Sequence, residues 1–214
     1  MNAIGHISEV TPNEGFYAFV PFPDTYLLEK RQITDVGVEI ADGRIIRPEH
    51  RSRIYATLRD ISNYTGHSVS DLKDYFKVEY MIEAGCDWFS LSDVDVTTAH
   101  GFLEILINFC LEWDIPTNGS LSERTPDIAR YIYWCLVHKK CCISQKKAQL
   151  HHVDAVGIGR NRNDIIHYGM RVLPLHWRYH QEVHNIGKIS FEEKYHVFGI
   201  KLDSDLCDIW KVKN

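Results

Sequence analysis

The stretch "QLHHVDAVGIGRNRND" (residues 149–164) decides how the rest of the chain is read. Its opening reads as the end of a strand, and it carries two adjacent histidines, His151 and His152, ahead of a glycine-rich basic loop. Side chains alternate faces along a strand, so the two imidazoles point to opposite sides and only one can comfortably join a given metal ion. Further on, "HWRYHQEVH" (residues 176–184) sets His180 and His184 four apart. On a helix that spacing puts both imidazoles on one face, at metal-ligand separation. Two roles are therefore on offer. One strand imidazole binds a cation, while its neighbour stays available to take a proton from water, a task to which neutral imidazole is well matched near pH 7.

Charge points to the same end of the chain. The net charge is −5, from 24 Lys and Arg against 29 Asp and Glu, and taken whole this argues against contact with nucleic-acid phosphates. Residues 1–137, however, carry 11 basic against 21 acidic side chains, a balance of −10, while residues 138–214 carry 13 against 8, a balance of +5. Of the 12 histidines, 7 fall between 151 and 196. The basic, histidine-rich end is the one expected to face nucleic acid.

A hydrophobic content of 44% is ample for a buried core. The opening "MNAIGHISEV" has no basic segment followed by an apolar run, and no apolar stretch approaches bilayer-crossing length. A soluble, cytoplasmic protein without membrane contact is expected. The six cysteines, at 86, 110, 135, 141, 142 and 207, show no framework spacing and read as reduced thiols or metal ligands.

Along the chain, the segments "FYAFVPF", "TYLLEKR" and "VGVEI" read as strands, with a turn at "ADGR", which predicts a small antiparallel sheet in the first fifty residues. In "RPEHRSRIYATLRDISNYTG" (47–66), Pro48 starts a helix with Ile54, Leu58 and Ile61 on one face, and Gly66 stops it. A second helix runs from about Ser70 with Leu72, Phe76 and Tyr80 aligned. In "TTAHGFLEILINFCLEWDIP" apolar residues cover nearly the whole circumference, so this helix is central to a core or to a subunit interface, and Pro116 ends it. The polar, turn-rich residues 116–125 read as a linker. Beyond it, "PDIARYIYWCLVHKK" places Ile128, Ile132, Cys135 and Leu136 on one helical face, with cations at the negative end of the dipole. The fold class is α+β, with domains at 1–115 and 126–214.

The segment "LHHVDAVGIGRNR" resembles the strand-and-loop half of the HNH endonucleases, and "RVLPLHWRYHQEVHNIG" resembles their closing strand and helix. "EKYHVFGIKL" is similar to the tail of phage-encoded HNH proteins. The resemblance covers about residues 138–200. It implies a β-β-α metal fold in which His151, His180 and His184 are metal ligands and His152 is the general base. It also implies hydrolysis of DNA phosphodiesters, with the cation polarising the scissile phosphate and stabilising the departing oxygen. Magnesium or manganese is the expected ion, with nickel or zinc as alternatives. Many members carry cysteine pairs that hold a structural zinc. Here Cys141 with Ser144, and His176 with Tyr179, occupy those places, so a structural zinc has little support. By spacing, Arg171 stands at the family's middle asparagine, with Asn161, Asn163 and His167 nearby.

Other residues carry lesser expectations. Asp154 and His167 are candidates for orienting a histidine or ligating the metal, and Asp154 reads equally well as a surface salt bridge. Lys146, Lys147, Arg160, Arg162 and Arg171 are candidate DNA contacts. "GIGR" lacks the strand-to-helix setting and third glycine of a dinucleotide loop. More distantly, "EHRSRIYATLRDISNYTG" followed by "SLSDVDVTTAHGFLEILINFCLEWDIP" resembles the Orf (NinB) recombination mediators of lambdoid phages. That resemblance implies single-stranded DNA binding through a cleft including Arg47, Arg51, Arg53 and Arg59. It further implies a homodimer, partnership with single-strand-binding protein, and a role in phage recombination. The rival reading is a non-catalytic DNA-binding mediator whose histidines hold a structural metal. An open coordination position separates the two, because a structural site is closed by four protein ligands.

Overall fold

Pro48 and Gly66 bracket the first long helix as their chemistry dictates. In the computed structural model, which describes residues 5–12, 14–22, 25–33, 46–154 and 165–213, α2 spans Pro48–Thr65, with Pro48 in its first turn and Gly66 closing it at φ 79°. Before it lie a hairpin of β1 (His6–Thr11) and β2 (Gly15–Phe19), antiparallel and paired to each other, and a short helix α1 (Thr25–Lys30). The hairpin realises the strand expected in "FYAFVPF", but "TYLLEKR" is helical. Its Leu27, Leu28, Glu29 and Lys30 are good helix formers, and that preference overrides the β tendency of Thr25 and Tyr26. The segments "VGVEI" and "ADGR" lie outside the described residues.

Helix α3 (Val69–Ala84) is capped by Ser68, whose hydroxyl accepts from the Asp71 amide, and is closed by Gly85 at φ 64°. Helix α4 (Val96–Glu112) is capped by Asp95 and buries Phe102, Leu103, Leu106, Ile107, Cys110 and Leu111. Its nearly continuous apolar circumference has the expected consequence: α4 packs against α2, α3 and α5 (Ile128–Val137) at once. Gly101 makes the approach of α3 possible, since a Cβ there would sit 2.6 Å from the Tyr80 ring. Asp127 caps α5 by accepting from the amides of Ala129 and Arg130, one residue after the proline expected to open it.

The segment 116–125 is packed against the helices. Leu121 is fully buried within a short 3-10 turn (Leu121–Glu123), and the Arg124 guanidinium donates to the Asp60 carboxylate at 2.7 Å and to the Thr57 hydroxyl at 3.2 Å. One cluster of buried side chains runs from Ile46 through α2–α5 to Cys207.

The second sheet has the strand order β3 (Gln149–His152), β4 (Arg171–Leu175), β5 (Ile200–Lys201), all antiparallel. Pro174 lies inside the middle strand, yet β5 pairs only with Arg171 and Val172, so no ladder donor is missing on that side. Helix α6 (Trp177–Ile186) follows β4 directly, then α7 (Lys188–Tyr195) and α8 (Ser204–Trp210). The architecture is α+β, with helices and small antiparallel sheets. Among the described residues, no helix is long and apolar enough to cross a membrane.

Candidate metal centre

Strand β3 is delivered by a tightly bonded turn. The Tyr131 hydroxyl on α5 donates to the Cys142 carbonyl at 3.1 Å, the Cys142 amide donates to the Pro174 carbonyl at 3.1 Å, and the Ala148 amide donates to the Lys139 carbonyl at 2.9 Å. The register then sets His151 opposite Leu173 and His152 opposite Val172. Adjacent positions face opposite sides, and the two imidazoles have different neighbours. His151 packs against His180 and His184 of α6, with ring centroids 4.8 and 5.2 Å away, whereas His152 Nε2 meets His167 Nδ1 at 2.8 Å.

His180 and His184, one turn apart on α6, have centroids 5.2 Å apart, so the helical spacing does place them side by side. The ligand nitrogens of His151, His180 and His184 all lie within 4.8 Å of one another, and this is the only such group of three or more His, Cys, Asp or Glu among the described residues. Two nitrogens on one ion at ~2.1 Å each are separated by at most ~4.2 Å, so the upper bound is only about half an ångström wider than one ion requires.

The donor chemistry fits as well. His151 is 6% exposed, and burial first, then the neighbouring His180, His184 and His152, hold its pKa down to about 4. Its lone pair is therefore free of a proton at neutral pH, as a metal ligand requires. His180 Nδ1 lies 3.0 Å from Gln149 Oε1, a contact that orients the ring. Helix α6 is itself held in place by α7, where Lys194 Nζ and the Tyr195 hydroxyl donate to the Glu182 carboxylate at 2.6 and 2.9 Å.

The remaining candidates are distributed as follows. The Asp154 carboxylate, just past β3, takes both Nε and Nη2 of Arg171 at 3.0 and 2.6 Å and the Arg171 amide at 2.9 Å. These bonds hold the Asp154 carboxyl below the usual carboxylate range and clamp the base of the β3–β4 connection. Both side chains are thus engaged with each other; neither belongs to the three-histidine group. His167 is buried at 4% exposure, with its amide donating to the Lys213 carbonyl, and it faces His152, not the other three histidines. Lys146 and Lys147 are exposed on the turn before β3. Arg160, Arg162, Asn161 and Asn163 lie outside the described residues. His138 is bonded to Asn108 Oδ1 at 2.8 Å and stacks on Trp134, while Cys141 is buried. Gln149 was not singled out from sequence. Only its position two residues before His151, on the same strand face, could have flagged it.

An antiparallel strand pair followed at once by a helix, with three imidazoles converging from strand and helix, gives a β-β-α arrangement whose histidines could hold one metal ion. Residues 21–213 match the family described as "Putative HNHc nuclease", and since this is most of the chain, the chain belongs to that family of HNH nucleases. HNH nucleases use a divalent metal, and the family implies DNA as substrate. No curated protein and no solved structure matches the chain significantly.

Proposed function

We propose that this protein is a metal-dependent DNA endonuclease in which His151, His180 and His184 hold one divalent cation and His152 is the general base. The observation that carries the proposal is the convergence of three imidazoles on one side of β3 while the fourth, His152, faces the other way into His167. A divalent cation at that site supplies Lewis-acid polarisation of the scissile phosphate and stabilisation of the departing oxygen. His152 accepts the proton of the attacking water at an imidazole nitrogen as the new P–O bond forms and the bond to the departing oxygen breaks. His167 holds the His152 ring in place, and Gln149 does the same for His180. Three histidine ligands leave a position open for phosphate, which favours the catalytic over the structural-metal reading. Imidazole-rich sites favour later transition metals in affinity, while magnesium or manganese is the ion of the cellular reaction in this reading.

The wider assignment rests on the sequence resemblances. In this reading residues 1–115 act as an Orf-like mediator part and residues 126–214 as the nuclease part. The protein works as a homodimer with single-strand-binding protein in phage recombination, in the host cytoplasm. Exposed Lys146 and Lys147, with Arg160 and Arg162, contact the DNA backbone, and Arg171 does so only by sharing its guanidinium with Asp154.

The test of the ligand set is calorimetric titration of chelator-treated protein with Mn²⁺ or Ni²⁺. Wild type and His152→Ala are expected to bind one ion with similar affinity and His180→Ala to lose binding by roughly a hundredfold or more. Undiminished affinity in His180→Ala would contradict the assignment.

A further inference from the structure

The N-terminal part is acidic in balance, yet it gathers three cations around one opening. A pocket of about 270 Å³ between α2, α3 and the loop before α4 is lined by Arg51, Tyr55, Lys73, Lys77 and the Ser90–Leu91–Ser92 stretch. Among the described residues, no carboxylate lines it. Two carboxylates stand at its margin: Asp74 pairs with Lys73 at 3.7 Å, and Asp93 accepts from the Ser92 hydroxyl at 3.1 Å. Arg51 and Lys77 instead spend one donor each on neutral carbonyls, Arg51 Nη1 on Ser92 at 3.0 Å and Lys77 Nζ on Phe89 at 2.7 Å. Among the described residues neither has a carboxylate within ion-pair distance.

Lys77 is the unusual member. It is 5% exposed, and its ammonium lies over the rings of Trp88 and Phe89 at 4.7 and 5.2 Å. A lysine is rarely buried without an anion, and this one sits beside a second lysine. Burial first, then Lys73, pushes its pKa down, with Asp74 acting in the opposite direction. The side chains on offer, two lysines, a guanidinium with donors to spare and the Tyr55 hydroxyl, are of the kind that surround a phosphate group, while the Ser90 and Ser92 hydroxyls are bonded to each other and to Asp93. The volume falls just below the ~300–1,000 Å³ usual for small-molecule pockets, so it suits a phosphate with part of what it is attached to.

We propose that this pocket binds a phosphate group, with Arg51 and Lys77 as its principal charge partners. The phosphate belongs either to a nucleic-acid strand or to a small phosphorylated molecule. The inference stands whether or not the histidine site cuts DNA.

The test is titration of the full chain, with chelator present and at pH 8, using inorganic phosphate, deoxyadenosine 5′-monophosphate, and one oligonucleotide with a 5′-phosphate or a 5′-hydroxyl. Arg51→Gln and Lys77→Met, the latter keeping the buried stem, are compared with His180→Ala and checked for folding by their melting transitions. The expected result is loss of phosphate or nucleotide affinity by roughly tenfold or more in both pocket variants and none in His180→Ala. Where the oligonucleotide weakens in the pocket variants only with its 5′-phosphate, the ligand is a strand end. Where both oligonucleotides weaken equally, it is a backbone phosphate, and where neither does, it is a small molecule. Phosphate binding unchanged in folded Arg51→Gln and Lys77→Met, or no binding of any of these probes by wild type, overturns the proposal.

Discussion

The different surroundings of His151 and His152 come down to the pleat of a single strand. One residue's difference in position sends one imidazole toward α6 and the other toward His167. That alternation was legible in "LHHV", and so was the pairing of His180 with His184 on one helical face. What was not legible is which side chains steady the rings, because Gln149 and His167 reach their partners across 31 and 15 residues of chain, and no local spacing records such a return. Gln149 is the more exposed of the two supports, and its removal leaves the backbone pairing of β3 intact. Gln149→Ala is therefore expected to fold normally and to weaken metal affinity by roughly tenfold, read by calorimetry. Unchanged affinity would show that the His180 ring is held by helix packing alone.

At the level of elements, helices with strong punctuation were readable. Pro48 and Gly66 frame α2, and the apolar circumference of "TTAHGFLEILINFC" marks α4 as central. The short helix α1 was not readable, because six residues carry too little periodicity to outweigh a tyrosine and a threonine at its start. The α4–α5 contact adds a charge that the apolar pattern conceals. Glu104, with a side chain 12% exposed, meets Arg130 Nε at 2.9 Å, yet its pKa is raised, because burial outweighs the guanidinium. A carboxyl whose folded pKa lies above its unfolded value lowers stability as pH rises through that window. Glu104→Gln is accordingly expected to stabilise the protein at pH 7 and to lose that gain as pH falls below the usual carboxylate range, measured by urea denaturation at both pH values. A variant that is less stable at pH 7 would mean the Arg130 contact outweighs the burial.

For the molecule as a whole, the segment 116–125 reads as a linker by composition but is packed, and its polar residues find partners far away in the chain. Arg124 bonds Asp60 and Thr57 on α2. A turn-rich composition records neither contact, since both depend on where α2 lies after folding. Arg124→Met leaves Asp60 buried without its cation and is expected to cost about 3–5 kcal/mol in urea denaturation, with much of the loss recovered by adding Asp60→Asn. A cost near zero would place the segment outside the cooperative unit. The charge asymmetry of the chain likewise pointed to the C-terminal end alone. The cationic pocket of Arg51, Lys73 and Lys77 was concealed because it is assembled from two helices and a loop inside an acidic half.

In the proposed reaction, His152 takes a proton from water beside a metal held by the other three histidines. The most direct measurement is cleavage of labelled single-stranded, duplex and branched DNA by wild type and His152→Ala, with Mg²⁺, Mn²⁺, Ni²⁺ or Zn²⁺ supplied separately after chelation. The prediction is metal-dependent cutting of at least one DNA by wild type, reduced by roughly a hundredfold or more in His152→Ala. Cutting that persists undiminished in the variant, or DNA binding without cutting under every metal, would contradict it.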